Sequence, residues 1–214
     1  PSASNSINAK SLDDYYNQTL TWEKCEGTFE CTELTVPLDY NNLSGETIQI
    51  AVKKFPALEQ ESKLGAIVVN PGGPGGSGVD YITYYDYQFS QDLYSAYDMV
   101  GFDPRGVMGS APVDCISDAE MDTYLAGDAT PDNAVEIREF LKDSEEFAKS
   151  CVEETGNSIN FVSTIETARD MDVLRAALDE SKLNYLGKSY GTQLGAVYAH
   201  LFPANVGKFV LDGA

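Results

Sequence analysis

Asn184-Tyr185-Leu186-Gly187-Lys188-Ser189-Tyr190-Gly191 is the stretch from which the rest of this chain can be read. A short strand runs into a serine flanked by glycines in the pattern G-x-S-x-G, and Thr192–Phe202 follows as a helix stopped before Pro203. Ser189 is therefore a candidate nucleophile. In such a sharp turn only glycines tolerate the approach of strand to helix. The hydroxyl is lifted above the carboxyl end of a sheet, and the helix N-terminus aims its dipole and free N–H groups at the same point. The alternative reading of the same residues is a structural glycine turn.

Working outward, Lys208–Leu211 reads as a strand, and about Thr164–Glu180 reads as a helix with Ile165, Ala168, Met171, Leu174 and Leu178 on one face. Ala66–Val69 and Tyr97–Phe102 are short and nearly continuously apolar, as parallel strands covered on both faces are. Alternating strands and helices predict an α/β fold with a mostly parallel sheet wound by right-handed crossovers. Leu34–Leu38 and Thr47–Val52, separated by the turn Asn41–Gly45, predict an antiparallel pair at the N-terminal side. Residues 116–163 are polar, with one amphipathic pattern at Val135, Ile137, Phe140, Leu141, Phe147 and Val152, and read as a helical insertion. The expected organisation is a polar, cysteine-clipped segment over 1–32 and one catalytic body over 33–214 that carries the insertion.

Directly after the strand Ala66–Val69 comes Asn70-Pro-Gly-Gly-Pro-Gly-Gly-Ser-Gly78. A phosphate-cradling loop would need a lysine after its glycines or a G-x-G-x-x-G opening a helix. The lysine is absent, and Pro71 and Pro74 remove N–H donors. An oxyanion hole fits better, because backbone N–H groups must come about 3 Å from the developing charge and only a side-chain-free loop allows that approach. Gly73 and Tyr190 are the candidate donors, with Gly72 a substitute. A purely structural loop is the plainer alternative.

The 214 residues are 43% hydrophobic and carry a net charge of −20, which suits one domain with a packed core. That charge repels phosphate backbones and anionic lipid, so neither nucleic acid nor a membrane surface is an expected partner. No apolar run approaches the ~20 residues of a spanning helix. A single histidine leaves no room for an imidazole metal cluster, and no metal or cofactor is expected. Pro1-Ser-Ala-Ser-Asn-Ser6 has neither a basic nor an apolar leader region, so a secretory signal is expected to have been removed already, or never to have been present. Cys25 and Cys31 stand six apart, and Cys115 and Cys151 flank the insertion. Two local disulfides are one of the three pairings that four cysteines allow. Even cysteines, an acidic surface and the sequons at Asn17 and Asn42 together point to a secreted protein.

Val36-Pro-Leu-Asp-Tyr40, Asn70–Gly78, Gly101-Phe-Asp-Pro-Arg-Gly106, Tyr185–Gly191 and Val210-Leu-Asp-Gly213 resemble, in order and spacing, the secreted tripeptidyl aminopeptidase-like α/β-hydrolases, relatives of the prolyl aminopeptidases. The resemblance runs from about Trp22 to the end. It implies an α/β-hydrolase fold and a serine exopeptidase that takes short peptides from free N-termini through a Ser-Asp-His triad and an acyl-enzyme. Ser189 would be its nucleophile, with the oxyanion donors on the 72–73 turn and at Tyr190. One departure stands at Met108, where that family has glycine; here glycine comes at 109. Asp103 and Arg105 read as bracing the turn rather than as catalytic. Tyr81, Tyr84, Tyr85, Tyr87, Tyr94 and Tyr97 fit either core packing or the lining of a peptide groove.

A serine nucleophile needs a base in hydrogen-bond reach and a carboxylate to orient it. His200, the single imidazole, lies eleven residues beyond Ser189 on the following helix, roughly 16 Å away at 1.5 Å per residue. In α/β-hydrolases the chain order is Ser, acid, His, which puts both partners beyond residue 214. The hydrolase core is then incomplete here, and Phe209–Leu211 would be an open apolar edge. The chain is expected to be one piece of a larger enzyme. It would be inactive alone, with the C-terminal remainder as its partner and a peptide as its substrate. Two further readings are a carboxylesterase or lipase using the same elbow, and a non-catalytic binding protein on a hydrolase scaffold.

Overall fold

The computed structural model describes Ala9 and residues 11–214, and the opening Pro1–Ser6 stretch lies outside the described residues. Among the described residues seven strands form one sheet: β1 (Glu23–Lys24), β2 (Glu30–Pro37), β3 (Thr47–Phe55), β4 (Ala66–Asn70), β5 (Asp98–Phe102), β6 (Leu183–Lys188) and β7 (Val206–Asp212). Their spatial order is β1-β2-β3-β5-β4-β6-β7. The first three are antiparallel neighbours, β3 meets β5 antiparallel, and β5, β4, β6 and β7 run parallel. The sheet is thus mixed, with its parallel run in the half that carries the serine.

The two-residue period of the strands sorts neighbouring side chains onto opposite faces. Ile50, Val52, Val68, Val100 and Phe102 pack with Ala168, Met171 and Leu174 of α7 (Thr164–Ala177) and with Leu194 and Tyr198 of α8 (Tyr190–Leu201). On the other face Phe55, Val69 and Met99 meet Ile82 and Phe89, which lie in the segment of short helices α2 (Gly78–Ile82), α3 (Tyr85–Gln88) and α4 (Gln91–Ala96). That segment absorbs much of the tyrosine cluster. Tyr85 stacks on Phe55 with ring centroids 3.7 Å apart, and Tyr94 meets Tyr85 edge-on at 5.1 Å. Tyr84 and Tyr87 remain exposed.

β2 starts at Glu30, ahead of its apolar pattern, because Glu30–Glu33 pair with Ala51–Lys54 through backbone bonds that leave no mark on polar side chains. The strand therefore crosses the expected division at 32/33, which is not a domain boundary. The Cys25–Cys31 disulfide closes the β1–β2 hairpin, and α1 (Leu12–Tyr16) packs on α7 through Tyr16.

Two compact units are distinguished: the sheet with its flanking helices, formed by the chain up to Ala111 together with Val162–Ala214, and a helical unit over Pro112–Phe161. The helical unit contains α5 (Asp118–Leu125) and α6 (Ala134–Thr155), and the Cys115–Cys151 disulfide ties the segment leading into α5 to α6. Asn133 caps α6 by accepting from the Val135 and Glu136 amides. Tyr124 stacks on Phe147 at 4.7 Å. Within α6 only Cys151 is buried, and Val135, Phe140, Leu141 and Val152 are exposed.

Two buried carboxylates tie the sheet unit together. Asp170 accepts two bonds from Arg105, at 2.7 and 2.6 Å, and one from the Tyr40 hydroxyl at 2.8 Å, while Arg105 also donates to the Pro37 and Leu38 carbonyls. Asp172 accepts from Tyr16, Tyr198, Asn205 and Arg175. Burial alone would push the Asp172 carboxyl up, but those four donors outweigh it and hold it below the ordinary carboxylate range.

Removing one partner of a buried ion pair strands the other, so Asp170→Ala should destabilise the protein by about 3–5 kcal/mol, read from urea unfolding. A folded-state pKa below the unfolded value makes Asp172 stabilising above the ordinary Asp value of about 3.9, and that stability drains away as pH falls through it. Asp172→Asn should therefore flatten the loss of stability on acidification in this pH range, as measured by urea midpoints between about pH 5 and pH 3.

Candidate active site

β6 ends at Lys188 and α8 begins at Tyr190, so Ser189 is the single residue that turns the chain, at φ 52° and ψ −125°. A positive φ is uncommon for a residue with a side chain and costs of order 1–3 kcal/mol, so it persists only where the surroundings enforce it. The enforcement is visible. The Ser189 amide donates to the Asp212 carbonyl of β7 at 2.9 Å, its carbonyl accepts from Thr192 at 2.9 Å, and the Tyr185 hydroxyl donates to the Gly191 carbonyl at 2.8 Å. Burial first, and then the nearby Tyr190, raise the Tyr185 hydroxyl well above the usual phenol range, so it stays a donor. A Cβ at Gly191 would lie 2.8 Å from the Asn70 carbonyl oxygen and 2.9 Å from its Oδ1. Ser189 itself is exposed.

The glycine turn lies directly against this elbow. Gly72 adopts φ 99°, and a Cβ there would collide with the Lys188 carbonyl oxygen and lie 2.9 Å from the Ser189 Cβ and 3.1 Å from the Tyr190 nitrogen. The Gly72 amide donates to Asn70 Oδ1 at 2.9 Å, and its carbonyl accepts from Gly76 at 3.0 Å. Gly73, the next residue, adopts φ 113° and is exposed. The structure thus sets Gly72 against Ser189 and Tyr190, but the Gly72 amide is already engaged. Tyr190 is tied by its hydroxyl to Thr164 Oγ1, 2.7 Å away.

Asp103 and Arg105 brace the neighbouring loops. Asp103 accepts from the Ser77 hydroxyl and the Val79 amide at the start of α2, and from the Gly109 amide at 3.1 Å. The departure at Met108 is accommodated by the backbone: Met108 takes φ 43° with its side chain 62% exposed, and a Cβ at Gly109 would lie 2.8 Å from the Ala51 Cβ. Lys188 places its ammonium 5.7 Å from the centre of the Tyr81 ring. Tyr81 outweighs the slight burial and, with Asp212, raises the lysine above its ordinary value, so it is cationic at neutral pH.

His200 is exposed in the last turn of α8, far along the helix from Ser189. Asn17 and Asn42 of the two sequons are both exposed. Among the described residues no group of three or more His, Cys, Asp or Glu side chains converges as a metal site, and no helix is long and apolar enough to cross a membrane. Asn70 and Tyr185 carry much of the local geometry, yet only their membership of quoted motifs drew attention to them. No periodicity reveals that a carboxamide closes the glycine turn.

Similar proteins are known. A tripeptidyl aminopeptidase of Streptomyces lividans is 41% identical over 202 residues, covering 90% of this chain and 38% of that protein. Serine protease Hip1 of Mycobacterium tuberculosis is 36% identical over 217 residues, covering 96% of this chain and 41% of that protein. Carboxylesterase B of the same organism is 39% identical over 193 residues, covering 87% and 36%. The chain therefore spans less than half the length of each of these relatives. The alpha/beta hydrolase fold family matches residues 65–214, the span that holds the glycine turn, the strained serine and the four parallel strands. A serine turned through positive φ between a parallel strand and its helix is the local form of that same match, and the chain belongs to the alpha/beta hydrolase fold family.

Proposed function

We propose that this chain is the nucleophile-bearing part of a secreted serine exopeptidase that removes short peptides from free N-termini. The observation that carries the reading is Ser189 at φ 52°, exposed at the tip of the elbow with the glycine turn packed against it. The tripeptidyl aminopeptidase and Hip1 relatives support the peptidase assignment. In this mechanism Ser189 Oγ attacks the scissile carbonyl and gives its proton to a histidine. The Gly73 and Tyr190 amides stabilise the oxyanion, the amine leaves with that proton, and water releases the acyl group by the same route. Gly72 takes no part as a donor, because its amide is bound to Asn70.

The base and its orienting acid lie beyond residue 214. The remoteness of His200, the order Ser-acid-His in this fold and the exposed Val210 and Leu211 on the outer strand β7 all support a larger enzyme that completes the sheet and the triad. Two disulfides and the exposed sequons support export to an oxidising compartment. The carboxylesterase B relative favours a second reading, an esterase with the same elbow.

A fluorophosphonate probe should label Ser189 in the complete enzyme and fail to label either Ser189→Ala or residues 1–214 expressed alone. Absence of label on the complete enzyme would sink the nucleophile assignment. Cleavage of a tripeptide anilide should exceed that of a p-nitrophenyl ester in kcat/KM once each is divided by its uncatalysed rate, and a strong preference for the ester would transfer the assignment to the esterase.

A further inference from the structure

Asn70 is fully buried at the carboxyl end of β4, between the glycine turn and the elbow. Its Oδ1 accepts the Gly72 amide at 2.9 Å, and its carbonyl oxygen and Oδ1 fill the space beside Gly191 that a Cβ would need. One side chain therefore touches both halves of the site. Its Nδ2 has no hydrogen-bond partner among the described residues. A buried donor left unsatisfied is destabilising, so a purely structural brace would favour a side chain without one. An aspartate would accept the Gly72 amide and leave no orphan donor, at the cost of burying a carboxylate beside a single donor. It would also place a negative charge three residues from the Gly73 amide, where the reaction develops negative charge of its own.

We propose that Asn70 is a positioning residue of the oxyanion turn. Its Oδ1 consumes the Gly72 amide and fixes the turn so that the Gly73 amide faces the reacting carbonyl, and its neutrality keeps opposing charge away from that carbonyl. This rests on the serine-hydrolase reading above. The orphaned Nδ2 is the consequence of using an uncharged acceptor. A loss at this position should appear in the transition state and not in ground-state binding, since Asn70 touches no substrate.

The test compares wild type, Asn70→Ala, Asn70→Ser and Asn70→Asp in the complete enzyme. The readouts are kcat and KM for a tripeptide anilide, affinity for the corresponding tripeptide aldehyde, and affinity for the product tripeptide. The aldehyde reports on the oxyanion turn because Ser189 Oγ adds to its carbonyl, the serine proton passes to the base, and the carbonyl oxygen takes the developing charge. Asn70→Ala and Asn70→Ser should lower kcat about tenfold. Asn70→Asp should lower it about 100-fold or more, the scale of losing an oxyanion donor. KM and product affinity should stay within about twofold throughout, and aldehyde affinity should fall in step with kcat/KM. A folded Asn70→Asp as active as wild type, or more active than Asn70→Ala, would overturn the proposal. If the aspartate variant does not fold, an unchanged kcat in Asn70→Ser overturns it instead. Wild type that neither cleaves the anilide nor labels at Ser189 removes the serine-hydrolase reading itself, whereas active wild type with silent Asn70 variants removes this inference alone.

Discussion

The constraint on which the candidate site depends is the contact of two backbones, the glycine turn against the serine elbow. At Gly72 there is no room for a single carbon between the turn and the Lys188 carbonyl. Everything near the site is arranged so that this contact can exist. β4 and β6 are hydrogen-bonded neighbours, with Asn70 paired to Gly187, so the two loops leave the sheet side by side at the same end. Tyr185 anchors the start of α8 from below, and β7 holds the Ser189 amide from the side. A positive φ at Ser189 is sustained because its flanking backbone groups are committed elsewhere.

The chain is strongly acidic, yet its acids do more than cover the surface. Asp98, Asp103, Asp170 and Asp172 are all buried. Each gathers donors from separate stretches of chain: Asp98 takes the Ala57 amide and the Lys63 ammonium, and Asp103 joins α2 to the loop at Gly109. These carboxylates act as junctions between loops that cannot pair by ladder bonds. The net charge, read as a repulsion from nucleic acid and lipid, says nothing of this internal use.

Much of the architecture was legible in the sequence because it rests on short-range patterns. The apolar runs of β4 and β5, the amphipathic stripe of α7 and the G-x-S-x-G turn each announce themselves within a dozen residues. What escaped was set by partners distant in sequence. β1 and the first turn of β2 are polar and form because the ladder to β3 reaches them. The helix starts at Tyr190 and not Thr192 because the elbow is already its first turn. Asn70 reads as the first residue of the glycine turn, whereas it ends β4; its bond to the Gly72 amide is local, but its contact with Gly191 is set by the fold. The amphipathic pattern of α6 announces a helix, while Val135, Ile137, Phe140, Leu141 and Val152 on it stay exposed in the unit to which they belong.

The bond from Tyr16 to Asp172 joins residues 156 positions apart and holds α1 on α7. Helix α1 is made well before its acceptor. At a synthesis rate of about 5–20 residues per second, α1 waits roughly 10–30 s on the ribosome before its partner exists. Such a non-local contact contributes nothing until α7 has been made, so docking of α1 on α7 is among the contacts of high sequence separation that slow folding.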